Sequence, residues 1–518
     1  MKKQSVLLYI FAFLFVIIYL SLFDTKLDLN GDNANYIQLA RNIVKGFGYS
    51  YTTLTGVEPT NFYPPAYSFF LSIFMWLGID NLIFFKALNG IFLLLSSWGL
   101  FYLVQKITKQ KSLAFVALTI SLFSPQIIHF SNIVMTEMFY LFNTVICFYS
   151  LYKYSEKNSS KFWKSPYFYI AIVSTAISYH TRTVGSTLIF AIIAFFLFRK
   201  EWKAALASAG SIVLLLLPWS IRNNSDGLES RYLGTIMTIN PWRPEEGSVT
   251  SVSGMIHKML LNFDEVLIKG MKEILFPFVS VNYEETSGIL AIILGLIVLG
   301  VLIYGAWNLG KLKWFFIAYL IANFGLLLLW HGGNGSRYLV TIGPLLFVLF
   351  YTGIYFIVCN LFKLKENVAS KIPYAFLGII LFMIPPIKIY AEMVKKPYDP
   401  AYQNYFEIAK IVEEKAPKNT IVCCRKPELF LYYSPSSLST RYIYSADSKV
   451  LISDLVNKKV EYVVLEQLGF GSTYRYLFPV IQQNPELFTV LMHLYEPDTF
   501  LLKFERNKAI EKFGLNEK

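Results

Sequence analysis

In this chain of 518 residues only 16% are charged, and a few ionisable side chains stand where a charge is either costly or useful. Asp32 precedes a stretch of helical periodicity. An aspartate there can cap the helix by accepting a backbone N–H, or, ionised, can take a proton from a reacting hydroxyl. Glu137 falls inside an apolar run, where an ionised carboxylate needs a cation, a cavity or a ligand. Its two readings are a structural ion pair with an arginine such as Arg182, and a direct part in acceptor binding or metal coordination. Arg182, Arg222 and Arg337 fall at the ends of apolar runs. Arginine at such a place either anchors the chain among headgroups or presents a planar, permanently charged donor fork to an anion.

The elements that must position these groups follow from composition. The chain is 55% hydrophobic and 17% aromatic, and eleven apolar runs can be marked before residue 391. They cover 5–23, 82–104, 113–128, 133–152, 167–179, 184–198, 204–219, 289–307, 314–330, 338–361 and 374–390. Most are long enough to cross a hydrocarbon layer of about 30 Å as helices. The chain reads as a polytopic α-helical membrane protein with about eleven transmembrane helices. Lysines and arginines gather in alternate connections, at 106–111, 153–164, 199–203, 311–313 and 363–371, which places the N-terminus in the cytoplasm. Eleven crossings from that start leave the C-terminus outside. The net charge of +13 is thereby explained by topology, and no basic face interleaved with aromatics suggests nucleic acid. Four cysteines make no disulfide framework.

Two domains are expected: a membrane domain, 1–390, with large outer loops at 24–80 and 220–288, and a small extracytoplasmic α/β domain, 391–518. In the first outer loop Ile37, Ala40, Ile43 and Val44 recur at helical spacing, and Gly46 is a natural stop. This predicts an amphipathic juxtamembrane helix over 33–45 with Asp32 at its N-cap. Beyond 390 the pattern predicts helices over 402–415, 447–457 and 474–483, and strands over 420–424, 460–466, 489–494 and 499–504. The glycine-rich segment from His331 to Ser336 is an outer turn. His331 has no second His or Cys at metal-ligand spacing.

The first outer loop resembles that of the GT-C superfamily of polyprenyl-phosphate-sugar-dependent glycosyltransferases. The matching residues are Gly31-Asp32-Asn33-Ala34, Tyr36, Leu39-Ala40, Gly46, Gly48-Tyr49 and Tyr63-Pro64-Pro65. The similarity looks closest to the bacterial branch of protein-mannosyltransferase-like enzymes that includes the aminoarabinose transferases. Thr136-Glu137, Thr181-Arg182-Thr183-Val184-Gly185, Pro218-Trp219 with Arg222-Asn223, and Arg337-Tyr338-Leu339 with Pro344 are similar to later family segments. Where the aminoarabinose transferases place a lysine before the Pro-Pro turn to hold the donor phosphate, this chain has Tyr63.

The resemblance implies a GT-C membrane enzyme that moves a sugar from a polyprenyl-monophosphate donor to an extracytoplasmic hydroxyl on a lipid, glycan or protein, with inversion. It makes Asp32 the base, Glu137 and Glu58 acidic groups toward the acceptor, and Arg337, Arg222 and Arg182 the donor-phosphate ligands. Tyr36, Tyr63, Tyr338 and His331 would line the donor and its sugar. It implies no cofactor beyond, at most, a divalent cation; the partners are the lipid-linked donor, an envelope acceptor and the bilayer, with no nucleic acid. The place is a bacterial cytoplasmic (inner) membrane. The competing readings are a transporter or lipid-linked-sugar flippase, for which no repeat or paired broken helices are visible, and a polysaccharide polymerase or ligase, whose large loop normally lies late in the chain.

Overall fold

The computed structural model describes residues 2–53, 56–156, 161–229, 231–239, 247–330 and 335–515. They form two compact units. The first comprises Met1–Thr25, Asn61–Phe70 and Ile79–Lys395; the second comprises Lys26–Thr60, Leu71–Gly78 and Lys396–Lys518.

The first unit is helical. Six segments among the described residues are long and apolar enough to cross a membrane: Leu82–Thr108, Trp202–Ser225, Ile289–Trp307, Gly310–Leu329, Gly343–Leu361 and one within Glu366–Lys415. A seventh, expected as a single run over 113–128, is broken into Lys111–Leu122 and Pro125–Ser131, bent by 67°. Pro125 explains the break, because a proline restricts the residue before it and cannot donate to the preceding turn. The run expected over 133–152 begins as a helix only at Glu137, which opens Glu137–Glu156. Glu137 is therefore a first-turn residue, where a carboxylate suits the positive end of the helix dipole. The run over 338–361 is likewise two helices, Gly335–Val340 and Gly343–Leu361.

Small residues let these helices approach. A Cβ on Gly305 would run into the carbonyl of Leu349, and one on Gly353 into the carbonyl of Val301. The helices Ile289–Trp307 and Gly343–Leu361 thus touch backbone to backbone at two glycines, which suits packing where lipid supplies no hydrophobic drive.

The second unit carries the β-structure. A hairpin pairs β1 (Ser50–Thr53) antiparallel with β2 (Gly56–Pro59). A five-stranded sheet has the order β4-β3-β5-β7-β6, with β3 (Ile421–Cys423), β4 (Leu438–Thr440), β5 (Tyr462–Leu465), β6 (Phe488–Leu494) and β7 (Thr499–Phe504). β3 is parallel to both β4 and β5, while β7 runs antiparallel to β5 and β6. Helices Pro400–Lys415 and Ser448–Asn457 appear as the periodicity requires, the second capped by Asp447 through the amides of Lys449 and Val450. Leu451, Leu455, Val463, Leu477, Leu487 and Leu502 form its core. Cys423 lies in that core, Cys424 faces Ser439, and all four cysteines are free. The sequence pattern did not indicate helix Pro427–Tyr433, strand β4 or helix Arg506–Phe513; each is short, and β4 has only three residues.

Candidate functional site

In the first unit the segment Ser131–Thr136, just before the Glu137 helix, is held by hydrogen bonds from neighbouring helices. The Asn89 amide donates to the carbonyls of Ile133 and Met135, and Asn89 in turn accepts from the Tyr67 hydroxyl at 3.3 Å. Asn132 donates to Leu22 O, and Tyr19 to Ser131 O, each at 3.2 Å. Buried carbonyls that no regular helix satisfies are thus paired by side chains, as an apolar interior demands. Phe70 stacks on Phe139, the third residue of the Glu137 helix, with ring centres 4.8 Å apart.

Glu137 is fully buried, and two guanidiniums lie near it. Arg182 donates through one terminal nitrogen to Glu137 Oε1 and to Thr136 Oγ1, both at 2.8 Å. Arg337 Nε lies 3.7 Å from the same oxygen. Among the described residues Glu137 Oε2 has no hydrogen-bond partner. The side chains of Arg182 and Arg337 remain 18% and 20% exposed, against 0% for Glu137, so the cations lie outward of the carboxylate. Two guanidiniums thus flank one buried carboxylate. Fixed guanidiniums suit an anionic group that gains charge as a bond breaks.

Two local devices place these arginines. Arg182 ends helix Pro166–Thr181 in extended conformation, and the chain folds back so tightly that a Cβ on Gly185 would lie 2.5 Å from Tyr179 N. Arg337 rides on Gly335–Val340, whose first glycine lies against a π-helical segment, Phe263–Gly270. A Cβ on Gly335 would lie 2.6 Å from Glu265 O, and one on Gly270 2.9 Å from the Gly335 carbonyl carbon.

Arg222 is engaged elsewhere: its Nε pairs with Asp226 at 2.9 Å, and it lies 5.0 Å from the Trp219 ring centre. Tyr63 packs edge-on against Phe62, and Tyr338 follows Arg337 on its helix. His331 lies outside the described residues, as does the rest of its turn through 334.

In the second unit Asp32 is the first residue of helix Asp32–Val44, and the N-cap is Gly31. The expected N-cap assignment is thus displaced by one residue. The cause is the backbone: Asp28 accepts the Asn30 amide at 2.9 Å in a tight turn, and Gly31 takes φ 97°. At its other end the helix stops as anticipated, with Gly46 at φ 82° and Phe47 N–H bonded to Asn42 O at 2.9 Å. Its apolar face packs on β1 and on helix Pro427–Tyr433, and Tyr36 is buried there. Glu58 is exposed on β2, across from Tyr51.

The turn before Asp32 is bound to an ion network that the sequence did not signal, because its members are some four hundred positions away. Lys426 donates to Asn30 O at 3.2 Å and lies 3.8 Å from Glu428. Glu428 takes both its oxygens' bonds from Arg441 at 3.1 Å and crowds Gly31. Burial, then the neighbouring Arg441 and Arg425, push the Lys426 ammonium pKa down, against the pull of Glu428 and Asp32. Burial raises the Tyr51 hydroxyl well above its usual range, with Tyr49, Tyr36, Asp32 and Glu428 adding to it. No group of three or more His, Cys, Asp or Glu among the described residues is arranged to hold a metal ion.

Residues 63–221 match a family described as dolichyl-phosphate-mannose-protein mannosyltransferase; that segment contains Glu137 and Arg182. Among solved structures, ArnT from Cupriavidus metallidurans bound to undecaprenyl phosphate superposes with a TM-score of 0.57 at 12% identity, over 96% of this chain and 97% of that one. The archaeal oligosaccharyltransferase AglB from Archaeoglobus fulgidus, in complex with an inhibitory peptide and a dolichol-phosphate, gives 0.54 at 13% identity, over 89% and 69%. No curated protein matches the chain significantly by sequence.

Proposed function

We propose that this chain, a member of the GT-C superfamily by its fold and by the match over 63–221, is a membrane glycosyltransferase that moves a sugar from a polyprenyl-monophosphate donor to an extracytoplasmic acceptor hydroxyl, with inversion. The observation that carries the reading is the buried Glu137 with its two arginines, two of the three lying inside the matched segment. The acceptor oxygen attacks the anomeric carbon, its proton passes to the Asp32 carboxylate, and the bond to the donor phosphate breaks with its electron pair on the phosphate. Arg337 is the first choice to hold that phosphate and Arg182 the second. Arg222, already paired with Asp226, ranks last. Glu137 orients the two guanidiniums and Glu58 faces the acceptor side; Tyr63 and Tyr338 line the donor, as do Tyr36 and His331. Residues 1–390 carry catalysis, and 391–518 help to define the acceptor. The acceptor belongs to a bacterial envelope, and the enzyme sits in the cytoplasmic membrane with its N-terminus inside and its C-terminus outside.

The decisive variant is Asp32→Asn. Because Gly31 is the N-cap, exchanging the carboxylate for an amide leaves the helix start intact while removing the base. Transfer by purified protein, followed by mass spectrometry of lipid-linked and envelope glycans, should fall about 10²- to 10⁴-fold. A rate near that of the unaltered protein sinks the assignment. Repeating the assay with a chelator decides whether a divalent cation takes part.

A further inference from the structure

The parallel strands of the second unit create a crevice that the transferase reading does not use. From β3 the chain passes to β4 on one side, then crosses to β5 on the other. The turns after β3 and β5 therefore diverge at the carboxyl ends of the strands, the position where open α/β sheets take ligands. The turn after β3 supplies Arg425 and Lys426; the turn after β5 supplies Phe470 and Ser472; Tyr444 follows β4.

Arg425 is fixed there before any ligand arrives. Its Nε donates to Ser472 Oγ at 2.8 Å, and its guanidinium carbon lies 4.3 Å from the Phe470 ring centre and 5.7 Å from that of Tyr444. Among the described residues no carboxylate is within ion-pair distance of it, and its terminal nitrogens make no hydrogen bond. The Lys426 ammonium lies 5.2 Å from the same ring. Its ion pair with Glu428, at 3.8 Å, is long, and Arg441 takes up the oxygens of that carboxylate. The acid below, Glu466, is turned inward to the amide of Leu468 and the hydroxyl of Thr473. A stacked, half-bonded guanidinium beside an under-neutralised ammonium is a preorganised receptor for an oxyanion. The terminal nitrogens supply the fork, and the lysine supplies the second charge that a phosphate monoester carries.

We propose that this crevice binds a phosphate monoester through Arg425 and Lys426, with Phe470 and Ser472 as positioning residues. The assignment does not rest on the transferase reading. Full-length protein in nanodiscs of phosphatidylcholine is titrated calorimetrically with inorganic phosphate, mannose 1-phosphate and farnesyl phosphate. Arg425→Ala should weaken at least one of the phosphate esters tenfold or more, and Arg425→Lys should weaken it less. Loss confined to mannose 1-phosphate assigns the crevice to a soluble phosphosugar; loss confined to farnesyl phosphate assigns it to a lipid headgroup; loss of both makes the phosphate itself the determinant. Ser472→Ala, which frees the guanidinium and removes only a long second bond from Tyr442, should reproduce a smaller part of the loss. Unchanged affinities in a folded Arg425→Ala protein, or no binding to the unaltered one, overturn the proposal. Affinity lost in Arg337→Ala and kept in Arg425→Ala would overturn it too, while leaving the donor site of the transferase standing.

Discussion

Two glutamates are buried among the described residues, one in each unit, and the protein keeps them in different ways. Glu137 is answered by charge: a guanidinium at 2.8 Å and another at 3.7 Å. Glu466 is answered by neutral dipoles, the Thr473 hydroxyl and the Leu468 amide, and has no cation at ion-pair distance among the described residues. In the first case burial of the carboxylate is offset only while the arginines stay ionised and in place. In the second, the cheaper answer is to hold a proton. The contrast separates a carboxylate that organises cations from one that staples a turn.

The largest effect expected from this contrast is at Glu137. Removing one partner of a buried ion pair strands the other, at a cost of about 3–5 kcal/mol. Glu137→Ala should lower the melting temperature in detergent sharply and abolish transfer, since Arg182 and Arg337 then lose the carboxylate that both face. The double change Glu137→Gln with Arg182→Gln should recover much of the stability and none of the activity. If the single change melts like the unaltered protein, the pair is not the organising element described here.

How far this could be read in the sequence follows from the distance between partners. Local signals were legible: the stop at Gly46 and the apolar faces of Pro400–Lys415 and Ser448–Asn457 depend on residues close to each other in the chain. The start of the Glu137 helix was not, because Ile133, Val134 and Met135 are as apolar as the helix they precede. What sets them apart is the pairing of the Ile133 and Met135 carbonyls with Asn89, a tertiary fact. The Glu137 to Arg182 pairing was one of two readings the composition allowed, while the approach of Arg337 needs the glycine contact with Phe263–Gly270 that no periodicity encodes. The opposite lapse is Arg222, whose i,i+4 partner Asp226 was there to be read. Lys426, Glu428 and Arg441 carried no signal at all, since nothing in a lysine's neighbourhood announces a turn so far away in the chain.

A middling effect is expected at the turn before Asp32, where the second unit uses backbone conformation rather than charge. Gly31 holds φ 97° and leaves no room for a Cβ against Glu428. Glu428 can swing aside, so the remaining cost of Gly31→Ala is the left-handed backbone, about 1–2 kcal/mol. Thermal melting should register that loss. Calorimetric loss beyond it would show that the Glu428 network is as rigid as the Glu137 pair, erasing the difference between the two units.

The smallest effect tests the comparison at its other pole. Burial raises the pKa of Glu466 above the ordinary carboxylate value, and the bonds from Thr473 and Leu468, with the field of Arg425, oppose that rise only in part. The folded protein then binds this proton more tightly than the unfolded chain does. Its contribution to stability is fully present below the unfolded pKa and is lost as pH rises through the folded one. Between pH 4 and the raised value the unaltered protein should therefore lose some stability that a Glu466→Gln variant keeps, because the amide cannot ionise. Glutamine also preserves the acceptor for Leu468 N–H, so the two proteins should be nearly equal at the acid end and diverge on going to neutral pH, with the variant the more stable. Melting curves in detergent at half-unit steps of pH measure the divergence directly. Divergence the other way, with the unaltered protein the more stable toward neutral pH, would mean that Glu466 is ionised in the folded protein, with Arg425 neutralising it from beyond contact distance. Glu466 would then join Glu137 as a carboxylate kept by arginine, and Arg425 would have less charge left for a phosphate.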